Sequence, residues 1–219
     1  MSSDRRKPER SLAETAAQRV GEGRSESSKW SIALQQLGAV DRAAYEAVAQ
    51  TPTPSLDEPI RRLSNAANYS RLWLGIAAVI AVLGGERGRR AAVEGIVSIG
   101  VTSATVNLLA KSIAARPRPE LQELERFRGR EVEMPGSSSF PSGHAASGFA
   151  FSYAVSRRLP ELAVPMRLLA GAVAYSRVHT GVHYPGDVAV GSTIGAGIAS
   201  MVASAADRLS ARRAARLIP

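Results

Sequence analysis

VAVGSTIGAGIASMVASAA, residues 188–206, runs for 19 residues without one charge. A bilayer core of ~30 Å needs about 20 predominantly apolar residues in a helix, so the stretch reads as a membrane helix. Gly191, Gly195, Ala199 and Ala203 recur every four residues along it. Such a stripe of small residues lets a neighbouring helix approach closely in lipid. In a soluble helix each glycine would instead cost ~1 kcal/mol against alanine.

Four more blocks lie upstream. Residues 72–85 and 96–110 carry no charge, residues 134–156 contain no Asp, Glu, Lys or Arg, and residues 162–176 hold Arg167 alone. Together they predict an all-α integral membrane bundle of about five transmembrane helices, with an all-α soluble bundle as the alternative.

The chain has 219 residues, which suits one domain of ordinary size. With 0 cysteines, a disulfide scaffold, thiolate zinc sites and a cysteine nucleophile are excluded. Aromatic residues make up only 5% and glycine is 19 of the total, a composition of closely packed helices rather than of a β-sandwich. The mean hydropathy of −0.06 averages a polar tail with these apolar blocks. Residues 1–30, with seven basic and five acidic side chains, read as a disordered or weakly helical tail. No apolar run follows Arg5, Arg6 and Lys7, so the tail does not read as a secretory signal. Residues 31–55 read as an amphipathic helix and linker, on the spacing of Ile32, Leu34, Leu37, Val40, Tyr45 and Val48. TPTPSLDEP breaks the chain, offering Ser55 or Asp57 as the next helix N-cap. The bundle then covers 56–208, and 209–219 is a basic tail. Net charge is +9, which suits an anionic membrane surface or nucleic acid. Arg208, Arg212, Arg213 and Arg216 read as an interfacial anchor, so no nucleic-acid partner is expected.

Chemistry-bearing residues fall in three clusters at the ends of the apolar blocks. Lys111, Arg116 and Arg118 follow the second block, where they would also serve as a positive stop-transfer end. Ser138-Ser-Phe-Pro141-Ser142-Gly143-His144 reads as a helix N-terminus, whose free N–H groups and positive dipole end attract anions; a simple capping loop fits it equally. Ser176-Arg177, His179, His183 and Asp187 lie between the fourth and fifth blocks, where Asp187 could equally be a helix cap. Pro185 and Gly186 predict a turn joining His183 to Asp187.

In order and spacing these clusters match K-x6-R-P (Lys111, Arg118-Pro119), P-S-G-H (Pro141 to His144) and S-R-x5-H-x3-D (Ser176-Arg177, His183, Asp187). The chain therefore resembles the superfamily of type 2 phosphatidic acid phosphatases, bacterial non-specific acid phosphatases and vanadium haloperoxidases, over about residues 60–206. Attack on an anionic phosphate is opposed by its charge, so catalysis there is mainly positioning and charge stabilisation. Lys111, Arg118 and Arg177 supply cations, joined by the Ser142 and Gly143 backbone N–H groups. The resemblance implies His183 as nucleophile forming a phosphohistidine, Asp187 orienting its imidazole, and His144 as general acid and then base. His179 stands outside the signature. No carboxylate cluster suggests a catalytic metal site, so no metal or other cofactor is expected.

Five spans would bring all three clusters to one membrane face. The resemblance implies a multi-pass cell-membrane phosphatase. Its substrate would be a lipid phosphate of phosphatidate, phosphatidylglycerophosphate or polyprenyl phosphate type, with membrane lipids around it. A soluble-type acid phosphatase of the same superfamily, or a non-catalytic basic membrane-associated protein, is the competing reading. Arginines crowd the opposite face, so the positive-inside rule predicts an extracytoplasmic active site, against which five spans put the charged N-terminal tail with Arg61, Arg62, Arg126, Arg128 and Arg130 on the active-site side.

Overall fold

The computed structural model describes residues 12–110, 116–119 and 129–215; Lys111 and Arg216 lie outside them. The described residues form helices and no strand. In chain order these are α1 (Leu12–Gln50), α2 (Pro54–Ala66), a 3-10 turn (Asn68–Ser70), α3 (Arg71–Leu83) and α4 (Gly85–Ala104). α4 runs on as a π-helical segment (Thr105–Ala110), followed by α5 (Gly143–Arg158), a 3-10 turn (Pro160–Leu162), α6 (Ala163–His179) and α7 (Pro185–Ala215).

Contacts divide the chain into residues 1–43 and 44–219. The first unit is the leading part of α1, on which Ile32, Leu34, Leu37 and Val40 are exposed. Helix reaches back to Leu12 through the polar stretch, whose Ala, Glu, Gln and Arg are good helix formers.

The second unit is arranged around α5, which packs against α4, α6 and α7. Nine of the 16 residues in its sequence GHAASGFAFSYAVSRR are Gly, Ala or Ser, and ten of the 16 are buried. Small side chains let helix backbones meet closely, and α7 supplies the complementary surface. Gly191, Gly195, Ala199 and Ala203, the predicted stripe, are all buried. A Cβ on Gly195 would lie 2.0 Å from the Ala146 carbonyl oxygen, and one on Gly191 2.4 Å from that of Ser142. Larger apolar groups fill the other side of α5, where Trp73, Ile80, Ile99, Phe151, Val155 and Val173 form the core. At the end away from the histidines, Glu94 of α4 binds Arg157 and Arg158 of α5, and both arginines also bind Asp207 of α7.

The expectation of about five spans is met only in part. By length and composition, Gly85–Leu108 and Pro185–Ala215 are suited to cross a membrane. The pair Pro54–Ala66 and Asn68–Leu83, bent by 66°, adds a third if it crosses as one. α5 and α6, with 16 and 17 residues, fall short. For α5 the reason is its position: a helix enclosed by three others needs small residues, not lipid-facing apolar ones. The block 134–156 also becomes helical only at Gly143. Pro135, Gly136 and Pro141 hold its beginning in a loop, and the Phe140–Pro141 peptide is cis.

Two boundaries differ from expectation. α2 is capped at Thr53, not at Ser55 or Asp57, because Pro54 occupies its first turn. α7 starts at Pro185, so Asp187 sits in its first turn instead of following a separate turn. There the Tyr184 N–H donates to Asp187 Oδ2 at 3.0 Å, the reciprocal half of a capping box.

Candidate active site

Arg118 anchors the site through its guanidinium. Nε donates to the Ser137 carbonyl at 2.9 Å, Nη1 to that of Val182 at 2.9 Å and Nη2 to that of Ser138 at 3.3 Å. These bonds tie the 116–119 segment to the loop before α5 and to the loop before α7. Nη1 also faces His183 Nε2 at 3.4 Å. On the other side of that imidazole, Nδ1 lies 3.4 Å from Ser139 Oγ and 3.6 Å from Asp187 Oδ2. The Ser139 hydroxyl in turn donates to Asp187 Oδ2. Acceptors therefore surround Nδ1 and a donor faces Nε2. This sets the Nδ1–H tautomer and turns the Nε2 lone pair toward Arg118. Burial pushes the His183 pKa down to about 4, with the Arg118 and Arg177 charges adding to the drop and Asp187 opposing it. At neutral pH the imidazole is uncharged, the form a nucleophile requires.

His144 stands across a cavity of about 170 Å³ that both histidines line together with Arg118 and Gly143. Ser142 caps α5, its Oγ accepting from the Ala145 N–H at 3.5 Å, so the Gly143 backbone opens the helix at the cavity wall. The Ser142 N–H itself donates to the Asp187 carbonyl at 3.0 Å. That bond ties the start of α5 to the first turn of α7. Arg177 is buried; its Nη1 donates to Ser64 Oγ at 2.6 Å, while Nε has no partner among the described residues. Its carbonyl receives the N–H groups of Val182 and His183 at 3.0 Å each, which shapes the loop carrying His183. Of the predicted site residues, then, Arg118, Gly143, His144 and His183 meet at the cavity. Asp187 and Arg177 stand behind them, and Lys111 lies outside the described residues.

Three contributors stand outside the three-part signature. Ser139 links His183 to Asp187. Arg116 binds Asp187 Oδ1 at 2.9 Å. Asn68 Oδ1 accepts from His144 Nε2 at 2.9 Å. Asn68 gets there because Tyr69 and Ser70 take left-handed conformations, φ 54° and 58°, where α2 breaks into α3. Left-handed backbone costs a non-glycine residue ~1–3 kcal/mol and tends to be retained where function needs it. His179, outside the signature, bonds Asp57 at 3.0 Å, and Asp57 also pairs with Arg130 at 2.8 Å. That network ties the end of α6 to the start of α2. Among the described residues, no three His, Asp or Glu side chains gather as metal ligands would.

If Asn68 holds His144 as the proton donor, Asn68→Ala should lower kcat by ~10- to 100-fold, part of the usual general-acid contribution. The loss should be greatest for substrates with poorly acidic leaving alcohols. A rate series over leaving groups checks it, and equal losses across the series would disconnect Asn68 from proton transfer.

The profile of the PAP2 superfamily matches residues 91–210. Decaprenylphosphoryl-5-phosphoribose phosphatase of Mycobacterium tuberculosis is 32% identical over 155 residues, covering 69% of this chain and 81% of that protein. Among solved structures, a transmembrane PAP2-type phosphatidylglycerolphosphate phosphatase from Bacillus subtilis superposes with a TM-score of 0.62 at 21% identity, over 79% of this chain and 87% of the other. LpxE of Aquifex aeolicus gives 0.59 at 22% identity, over 74% and 93%.

Proposed function

Since the chain belongs to the PAP2 superfamily, we propose that it is a membrane phosphatase acting on a lipid phosphate through a phosphohistidine at His183. The observation that carries the reading is the pair of histidines lining one small cavity, with Arg118 beside the nucleophilic nitrogen. The His183 Nε2 lone pair attacks phosphorus, the bond from phosphorus to the lipid-side oxygen breaks, and His144 gives that oxygen its proton. His144 then takes a proton from water, whose oxygen attacks phosphorus, and the P–N bond breaks to release inorganic phosphate. Arg118, Arg177 and Lys111, with the Gly143 N–H, balance the charge on the non-bridging oxygens, and the Ser142 N–H joins them on exchanging its Asp187 contact for phosphate. Asp187 holds the Nδ1 side of the imidazole as it becomes cationic. Similarity to the mycobacterial enzyme favours a polyprenyl-linked phosphosugar as the first substrate to try, ahead of phosphatidate and phosphatidylglycerophosphate.

Phosphate release from a panel of these lipids by the purified protein tests the reading. Activity should survive excess EDTA, because every step runs on protein side chains. Vanadate should inhibit, since its trigonal bipyramidal form resembles the transition state, and such analogues bind ~10²–10⁸-fold tighter than substrate. Loss of all activity in EDTA, restored by Mg²⁺, would sink the histidine mechanism.

The bent α2–α3 pair, α4, α5, α6 and α7 supply five crossings of the cell membrane in this reading. The end remote from His183 carries Arg87, Arg89, Arg90, Arg157, Arg158, Arg208, Arg212 and Arg213. The positive-inside rule makes that end cytoplasmic and the active site extracytoplasmic. Single cysteines at Ser137 and Ser210 report it in this cysteine-free chain. An impermeant thiol reagent on intact cells should label the first and spare the second; the reverse pattern would invert the orientation.

A further inference from the structure

Asp187 is wholly buried, so its charge has to be met inside the protein. Its two oxygens are met differently. Oδ2 receives the Ser139 hydroxyl and the Tyr184 N–H and faces His183. Oδ1 receives Arg116 Nη1 at 2.9 Å, and among the described residues Arg116 is the cation that pairs with this carboxylate. Arg118, two residues on, spends its donors on carbonyls and on His183.

Arg116 is itself held from three sides. Its backbone N–H donates to Ser138 Oγ at 3.0 Å, and its carbonyl accepts from the Ser139 N–H at 2.9 Å. Its guanidinium lies 4.0 Å over the Tyr184 ring, a cation–π arrangement. That ring is braced in turn by Tyr45, edge-on at 5.3 Å, within a cluster that includes Ala49 and Val178. A continuous chain of contacts thus runs from Tyr45 through Tyr184 and Arg116 to Asp187 and His183.

We propose that Arg116 is a positioning residue for catalysis: by binding Oδ1 of Asp187 from its seat on Tyr184, it reserves Oδ2 for the Ser139–His183 side. The proposal rests on the phosphohistidine reading above and adds to it a residue outside the three-part signature. Arg116 acts through Asp187. Its loss should therefore slow formation of the phosphoenzyme and leave substrate binding, which falls to Arg118, largely intact. It should also leave the carboxylate charge less opposed beside His183, favouring the imidazolium. The groups facing His183 are Arg118 from the 116–119 segment, Ser139 from the loop before α5, Arg177 from α6 and Asp187 from α7, and they stay in place.

The test uses the full-length protein in detergent or nanodiscs. Arg116→Gln should slow phosphoenzyme formation by ~10- to 100-fold, the usual penalty for misplacing a reacting group, with KM within about twofold. Arg116→Lys, which keeps the charge, should recover part of the rate. In an Asp187→Asn background, Arg116→Gln should cost nothing more. Imidazole carbon shifts should show the His183 titration midpoint move upward from about 4 in Arg116→Gln. Additive losses in the double variant, a raised KM at unchanged rate, or an unmoved His183 midpoint would overturn the proposal. Absence of any phosphoenzyme in the unaltered protein would count against the phosphohistidine reading instead, and the titration would still decide the part played by Arg116.

Discussion

His183→Ala should abolish both the phosphoenzyme and steady-state phosphate release. Removing a nucleophile that acts in concert with its partners can cost ~10⁶-fold, because the remaining groups have nothing to act upon. The expected residue of activity is that of bound substrate beside cations, detectable only by long incubation. Acid-labile label on the unaltered protein, absent from His183→Ala, would identify the attachment point. The comparison with His179→Ala is informative because both histidines are buried near the same loop. His179 faces Asp57 and not the cavity, so its loss should lower stability and leave the label in place. Label retained in His183→Ala would reassign the nucleophile.

The second large effect is expected at Gly195. A methyl group there would sit 2.0 Å from the Ala146 carbonyl oxygen, a backbone atom that no side-chain rotation can clear. Overpacking of this kind costs ~1–3 kcal/mol and occasionally more, so Gly195→Ala should reach about 3 kcal/mol by forcing α7 off α5. Gly197→Ala is the matched control, since nothing lies within 4 Å of its Cβ position. There the gain in helix propensity should leave stability unchanged or better by ~0.5–1 kcal/mol. Thermal loss of helical circular dichroism in detergent separates the two. Gly191→Ala adds a site-specific version, because its Cβ would press 2.4 Å from the Ser142 carbonyl. It should reduce activity by more than its effect on stability accounts for. Equal behaviour of Gly195→Ala and Gly197→Ala would show that α5 and α7 do not meet as described.

What was legible in the sequence was local or chemically demanding. The stripe on α7 is a four-residue period and needs no knowledge of its partner to be read. Arg118, His144 and His183 stand out because the three-part signature fixes their order and spacing. The supporting residues are ordinary polar ones whose meaning depends on partners far along the chain. Asn68 is 76 residues from His144, Arg116 is 71 from Asp187, and Ser64 is 113 from Arg177. No pattern in a single sequence marks such pairs. The five expected spans are supported only in part, two to three of them by length and composition. Hydropathy reports contact with lipid, and α5 is surrounded by protein, so its Gly, Ala and Ser carry a packing signal that a hydropathy rule cannot score. The starts of α2 and α7 were misplaced by treating Pro54 and Pro185 as breaks, when proline in the first helical turn begins a helix at no cost.

α7 is fastened near both ends by carboxylates. Asp187 is locked to Arg116 and Ser139 at the active-site end, and Asp207 to Arg157 and Arg158 at the other. Twenty residues separate them, roughly 30 Å of helix and close to the thickness of a bilayer's hydrocarbon core. The helix is therefore a ruler laid between two fixed marks. Sliding it along its axis by even one residue would break both fastenings together, so in the membrane reading proposed above it has no cheap way to adjust to a thinner or thicker bilayer alone. Any mismatch has to be taken up by tilting the bundle as a whole or by deforming the lipid around it. The spacing between Asp187 and His183 is thereby insulated from the mechanics of the bilayer.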